Sequence, residues 1–362
     1  MGADRWVRED QGALPKRGLC GTMHFLTLRR VLKKLQGTCR IFAGIFLLVS
    51  VFPVTCRADQ TNYTAQVVKY PYHLDSETVV GRPRLHQVKQ GETLLDIARL
   101  HGLGYNEMAL LYPRMDPWLP PKQKSLIVPT LWVLPPTKLE ELVINIPELR
   151  LYFFDKKSKT VQTYPIGIGD EGWETPIKTG YIAEKRPNPA WYIPESLQAK
   201  YGMKVMPPGP ENPLGEYMMK LSIGPYGIHG THMPWGVGRL ISHGCIRCYP
   251  EHIRILYPQV AVGTRLEIIY EPLKLGVKNG RVYVEAHPDV YRKIDDYTRY
   301  AMEKLDKSPW AFRVDRKRFA LAVRLQNGVP TDVSTLGGPP STTLAEETGR
   351  LIFMLDSGGN AF

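Results

Sequence analysis

Apolar and polar residues recur at helical spacing in two stretches of the chain, and between them the text breaks into short strand-like runs. In HQVKQGETLLDIARL, at 86–100, a brief alternation stops at Gly91, and Thr93 then stands where an N-cap belongs ahead of an amphipathic run. A second short helix at 106–112 and a closing strand at 125–129 complete a strand-helix-helix-strand unit over 85–130. Residues 59–84 read as a lead-in strand and loop. The Pro-rich text PTLWVLPPT at 129–137 marks a stiff linker, assigned 131–139, because proline fixes φ, removes donors and so holds its flanking units apart.

From 140 onward strands dominate, at 141–146, 150–155, 160–168, 265–270 and 281–285. Short strands with turns about every eight to twelve residues predict a sandwich or barrel, bounded at 140–288. Residues 184–216 are rich in Pro, Gly and polar residues and read as a long functional loop, a lid over a cleft. Apolar residues at helical spacing in 290–305 and 316–326 predict a helical extension over 289–330. A flexible tail follows at 331–362.

Length gives room for two or three domains. The formal charge of +12 is concentrated at the start, where the first 58 residues hold ten Lys/Arg against three Asp/Glu. The remainder carries 37 basic and 32 acidic residues with no basic run of five, which argues against a nucleic-acid partner. Arg29, Arg30, Lys33, Lys34 and Arg40 precede the apolar run 41–54, and Cys56-Arg57-Ala58 suits a cleavage site. Residues 1–58 therefore read as leader and signal, with translation starting at Met23. Fourteen apolar residues fall short of the ~20 that span a bilayer, so cleavage before Asp59 is expected over an uncleaved anchor. Of five cysteines, Cys245 and Cys248 then remain, too few for a disulfide framework in an exported chain.

Residue types suited to covalent chemistry crowd into IHGTHMPWGVGRLISHGCIRCYP at 228–250. Cys245 lies in Ser242-His243-Gly244-Cys245-Ile246-Arg247, where imidazole and guanidinium neighbours favour thiolate. His229, sixteen residues upstream, is the candidate base, and a Cys/His pair is the smallest acyl-transfer constellation.

This segment resembles the signature of the L,D-transpeptidases with a YkuD-type catalytic domain: a His, a spacer, then Ser/Thr-His-Gly-Cys and a polar residue two further on. The likeness runs over roughly 140–290. It includes PPGPENPLGEYMMKLSIGPYGIHG, VAVGTRLEIIYEP, and Gly167-Ile168-Gly169-Asp170 through Thr175-Pro176 and Gly180, a segment that lines the substrate cleft in the family. Residues 85–130, with V-x-x-G-E-T-L-x-x-I-A, look like a LysM domain, a module that binds N-acetylglucosamine-containing glycans.

The resemblance implies a mainly β catalytic domain of the L,D-transpeptidase β-sandwich type, a small α+β (βααβ) LysM domain and the helical C-terminal extension. It also implies a periplasmic wall enzyme needing neither cofactor nor metal. Cys245 attacks the carbonyl of a stem peptide's third residue and expels D-alanine, with His229 as base, oriented by a backbone carbonyl or the Thr231 region. Backbone N–H groups at Gly244 and Cys245 receive the oxyanion. Ser242 and His243 shape the turn, Arg247 grips a stem carboxylate, and Tyr226 and Trp235 contact substrate. Implied partners are peptidoglycan stem peptides and glycan strands. The acceptor amine belongs to diaminopimelate of another stem or to a lysine of an outer-membrane lipoprotein, the similarity leaning to the latter. His232 reads as a surface residue and His252 as an ordinary helical one.

Cys248 departs from the family pattern and makes Cys245-Ile246-Arg247-Cys248 a C-x-x-C sequence. A thioredoxin-like pair disagrees with the β-rich text upstream. A zinc site from Cys245, Cys248, His243 and His252 would crowd one turn and consume the thiolate. The favoured expectation is a redox brake, a Cys245–Cys248 disulfide that silences the enzyme. A reading from another class, a non-catalytic LysM wall-binding protein with a vestigial cysteine domain, is opposed by the intact His229 and Cys245.

Overall fold

In the strands Leu142–Asn145 and Arg150–Asp155 nearly every side chain is buried, the mark of strands covered on both faces. The computed structural model, which describes residues 67–73, 77–137 and 141–335, shows both covers. Leu142, Ile144, Leu151 and Phe153 turn into one core with Tyr164, Ile166, Ile182, Ile228, Ile246 and Leu266. Val143, Tyr152 and Phe154 turn the other way, against Val88, Leu94, Ile97, Leu126 and Trp132. Period-two alternation thus binds two bodies through one pair of strands.

Around the first core the strands close on themselves. Thr160–Gly169 pairs with Ile246–Cys248, and the ladder continues through Gly227–His229, Tyr217–Leu221, Thr179–Pro187, Arg265–Ile269, Leu142–Asn145 and Arg150–Asp155. Arg150–Asp155 then pairs back onto Thr160–Gly169. Within this ring the joins of Gly227–His229 with Ile246–Cys248 and of Arg265–Ile269 with Leu142–Asn145 are parallel, and the others antiparallel. Thr160–Gly169 passes from Arg150–Asp155 at 160–165 to Ile246–Cys248 at 166–167, and Thr179–Pro187 from Arg265–Ile269 at 179–181 to Tyr217–Leu221 at 182–187. Two sheets thus share these strands around one core, a mainly β domain within the sandwich or barrel that the strand pattern predicts. Helix Pro250–Gln259 adds Ile253 and Leu256 to the enclosed core.

Arg84–Gln87 pairs antiparallel with Ser125–Val128, with helices Leu94–Leu100 and Tyr105–Leu111 between them, as the sequence pattern predicts. Thr93 caps the first helix reciprocally: its Oγ1 accepts from Asp96 N at 3.1 Å, and Asp96 Oδ2 accepts from Thr93 N at 2.9 Å. The expected linker is not a spacer. Leu131–Val133 is a buried strand paired with Val79–Gly81, and Trp132 and Leu134 sit in the shared core. The prolines flank this run, and its four consecutive apolar side chains are worth more buried than extended in solvent.

Two further expectations change. Residues 184–216 hold a hairpin, Trp191–Tyr192 with Val205–Met206, enclosing helix Glu195–Tyr201. The boundary at 288 divides a single unit, because Leu273–Lys278, Arg281–Ala286 and Thr331–Asp332 form one antiparallel sheet. Helices Tyr297–Asp306 and Arg316–Leu325 pack Ala301, Leu305, Phe319 and Val323 onto it. The first helix starts at Tyr297 and not at 290 because Asp296 caps it, accepting from Arg299 N at 2.9 Å. The C-terminal part is therefore an α+β module, and 331–335 belong to it and not to a tail. The leader and signal read at 1–58 and the tail beyond 335 lie outside the described residues.

A buried charge cluster ties these parts together. Lys274 Nζ lies 2.8 Å from Glu148 Oε2 and 3.0 Å from Glu285 Oε1, and donates to the Val133 carbonyl at 2.6 Å. Glu285 also accepts from Val133 N at 2.5 Å and from His287 at 2.7 Å. Glu148, Glu285 and His287 have the spacing of metal ligands, but the Lys274 ammonium already supplies the counter-charge between the two carboxylates. Replacing it removes the ammonium from between two buried carboxylates, so Lys274→Met should cost about 3–5 kcal/mol, read as a lower urea midpoint with unchanged slope. Arg254→Gln, which breaks the exposed pair with Glu216, should cost under about 1 kcal/mol by the same measurement.

Candidate active site

The site is built on the parallel join between Gly227–His229 and Ile246–Cys248, in register Ile228↔Ile246 and His229↔Arg247. Successive side chains of a strand point to opposite faces. Ile228, Ile246 and Cys248 go into the core, which turns His229, Arg247 and Cys245 to the other face. Cys245 and His229 are then one diagonal step apart across the ladder, roughly 8 Å between main chains from strand spacing and rise, a gap that an imidazole and a thiol can bridge. A main-chain hydrogen bond from Gly227 reaches the Cys245 sulfur.

The turn before Cys245 is held from several sides. Gly244 has φ +95°, and a side chain there would run into the Tyr226 ring, so this position requires glycine. Ser242 Oγ donates to the Cys245 carbonyl at 2.5 Å and accepts from Gly244 N at 3.1 Å. That bond takes up the Gly244 N–H, which was expected to receive an oxyanion. Thr175 Oγ1 accepts from Gly169 N at 2.9 Å and donates to the Gly244 carbonyl at 3.1 Å. His243 is exposed, its ring 4.7 Å from that of Trp173 in a T-shaped contact. Trp235 lies on the exposed turn Pro234–Gly236, and Tyr226 is half-buried against the nucleophile turn.

His229 is buried, and its Nδ1 donates to the Gly230 carbonyl at 2.6 Å. A carbonyl only accepts, so this bond puts the proton on Nδ1 and leaves Nε2 as the basic atom. Burial, with the Arg247 charge beside it, brings the His229 pKa down to about 3. Burial likewise pushes the Cys245 thiol up, and the opposing pulls of the Gly227 hydrogen bond and Arg247 do not offset it. Both shifts favour the neutral forms, a thiol at Cys245 and an imidazole at His229, and oppose the thiolate that the flanking charges suggested. Arg247 is depressed by its own burial, and its Nε has no partner among the described residues. His232 stands half-buried near Arg247, with its Nδ1 also unpartnered among those residues. The sequence placed it at the surface.

The family model of the L,D-transpeptidase catalytic domain (YkuD) matches residues 140–268. The chain is 32% identical over 294 residues to the probable L,D-transpeptidase YcfS of Escherichia coli (strain K12), covering 77% of this chain and 92% of that protein. This chain belongs to the L,D-transpeptidase family. It is 37% identical over 235 residues to the probable L,D-transpeptidase YbiS of the same strain, covering 62% of this chain and 76% of that one. The probable L,D-transpeptidase ErfK/SrfK of Salmonella typhimurium is 31% identical, covering 74% and 91%. The function is acyl transfer, and the reading as a wall binder with a vestigial cysteine domain is not supported.

Strand geometry removes the rival roles of Cys248 in this transpeptidase. Cys248 is fully buried, and its thiol is pushed up to about 12. Three residues along an extended strand separate main chains by about 10 Å, and a disulfide tolerates at most about 7 Å. Both cysteines are free, and the expected redox brake has no geometry to form. The zinc set fails alike, since His252 is buried between the Tyr164 and Tyr249 rings. Thr175 and Tyr291 support the turn and were missed as such. Thr175 had a signal in Thr-Pro, and Tyr291 had none.

The raised thiol and the lowered imidazole fix the sign of a pH profile. Iodoacetamide alkylation of Cys245 should climb steadily with pH and keep climbing past about 9, because thiolate appears only as the medium becomes basic. A plateau between about pH 6 and 7, the sign of a thiolate–imidazolium pair, would contradict the neutral resting state.

Proposed function

We propose that Cys245 is the nucleophile and His229 the base of transfer from a peptidoglycan tetrapeptide stem. His229 Nε2 takes the thiol proton as Sγ bonds to the carbonyl carbon of the stem's third residue. The oxyanion forms toward the Cys245 N–H. Collapse breaks the bond to the terminal D-alanine, whose amine leaves with the proton held on His229, and a thioester remains. The acceptor amine then attacks the thioester and gives a proton to Nε2, and the thiol recovers it as the new amide forms. The observation that carries this reading is the register His229↔Arg247, which brings base, cation and nucleophile to one face. Arg247, half-buried and with an Nε that has no partner among the described residues, suits a stem carboxylate; His232 stands near it, and Trp235 is exposed on the turn Pro234–Gly236.

The strand-helix-helix-strand unit reads as a LysM module. Leu85, Trp118 and Leu119 are exposed on it and offer apolar surface to glycan strands. The basic residues before the apolar run 41–54 support export, and the reading puts the reaction in the periplasm. Of the two acceptors, a diaminopimelate side chain and an outer-membrane lipoprotein lysine, the reading favours the lysine.

Cells making Cys245→Ala protein should lose the muropeptides that carry the new bond, and His229→Ala should slow transfer about 10²–10⁴-fold. Arg247→Ala should raise KM more than it lowers kcat if the guanidinium only binds. Muropeptides unchanged by Cys245→Ala would reject the assignment. Wall from lipoprotein-free cells distinguishes the acceptors, since only the diaminopimelate product survives there.

A further inference from the structure

Tyr291 lies beyond the family match, which ends at 268, yet it reaches the nucleophile turn. Its ring stacks on Tyr270 with centroids 6.1 Å apart, and it is nearly buried. Its hydroxyl donates to the Gly169 carbonyl at 2.7 Å and accepts from Thr175 N at 3.1 Å. Thr175 in turn holds the Gly244 carbonyl through Oγ1 at 3.1 Å. That carbonyl and the Cys245 N–H are the two ends of one planar, trans peptide, so fixing the oxygen fixes the direction of the N–H.

Neighbours of Tyr291 tie down the same segment. Tyr270 donates to Asp289, Lys293 pairs with Glu174 at 3.1 Å, and Arg292 lies 3.8 Å from Glu171. The last two pairs are exposed and contribute little. The hold therefore rests on the buried hydroxyl. On the same loop Trp173 meets His243, so residues 169–175 touch the turn at both His243 and Gly244.

We propose that Tyr291 is a positioning residue for acyl transfer: residues 289–293 strap the 169–175 loop onto the nucleophile turn and, through Thr175, aim the Cys245 N–H at the oxyanion. The inference rests on the transpeptidase reading of the site. It gives the C-terminal module a part in the reaction without contact to substrate.

Two reactions of the same sulfur separate positioning from general loosening. Carbapenem acylation of Cys245 passes through an oxyanion, and iodoacetamide alkylation does not. In the full chain, Tyr291→Phe should slow acylation about tenfold or more and leave alkylation unchanged. Thr175→Val, which keeps the tyrosine, should do the same, and the double variant should be no slower than Thr175→Val alone. If Tyr291→Phe fails to fold, Thr175→Val carries the comparison. Equal acylation of wild type and variants, or acylation and alkylation falling together, overturns the proposal. A wild-type protein that takes no carbapenem at Cys245 overturns the transpeptidase reading and the strap with it.

Discussion

The register between the strands of His229 and Cys245 is the constraint on which the site depends. Side chains of a strand alternate between faces, so a slip of one residue would put Cys245 and Arg247 into the core and bring Ile246 and Cys248 out to the cleft. Ile228, Ile246 and Cys248 are wholly buried, and with them the enclosed core makes such a slip prohibitive. The hydrophobic effect, acting on residues with no chemical role, thereby decides which sulfur can react. Pairing on both sides adds to this, because Ile246–Cys248 lies between Gly227–His229 and Thr160–Gly169, and a slip would break both ladders.

Burial then sets the chemistry of what the register exposes. Near Arg247 alone, a thiol would ionise readily and an imidazole would resist protonation. Burial reverses the first tendency and deepens the second. In the proposed transfer, charge on these two side chains appears only as the proton moves from sulfur to Nε2. Arg247, whose Nε has no partner among the described residues, is the cation proposed to meet an anionic substrate. The protein's own buried carboxylates are spent elsewhere, on Lys274 and Arg150, where they join the N-terminal unit, the ring and the C-terminal module.

Much of the local structure was legible. Thr93 announced a helix start, and Ser-His-Gly-Cys with an upstream His marked the reactive stretch. Strands formed at 142–145, 150–155, 160–169 and 265–269 where strand-like runs stood, but those that build the site, at 217–221, 227–229 and 246–248, carried no such reading. Cys248 was misread as a redox partner, although it shares the parity of Ile246 and strand alternation alone would have sent it inward. Ring closure was not legible, because it depends on pairings such as Leu266↔Leu142, between segments far apart in the chain. The strand at 131–133 hid between prolines. The raised thiol depends on burial, which neighbours in sequence do not report. Tyr291 stands 116 residues from the threonine it holds, and nothing local marks a tyrosine that will be recruited over such a distance.

The direct test is to trap the acyl-enzyme formed from a tetrapeptide donor and map the thioester by mass spectrometry of its peptides. The account predicts the acyl group on the peptide at Cys245 alone, in a protein whose Cys248 stays unmodified until it is unfolded. An acyl group on Cys248, or a native protein in which both sulfurs label equally, would contradict it.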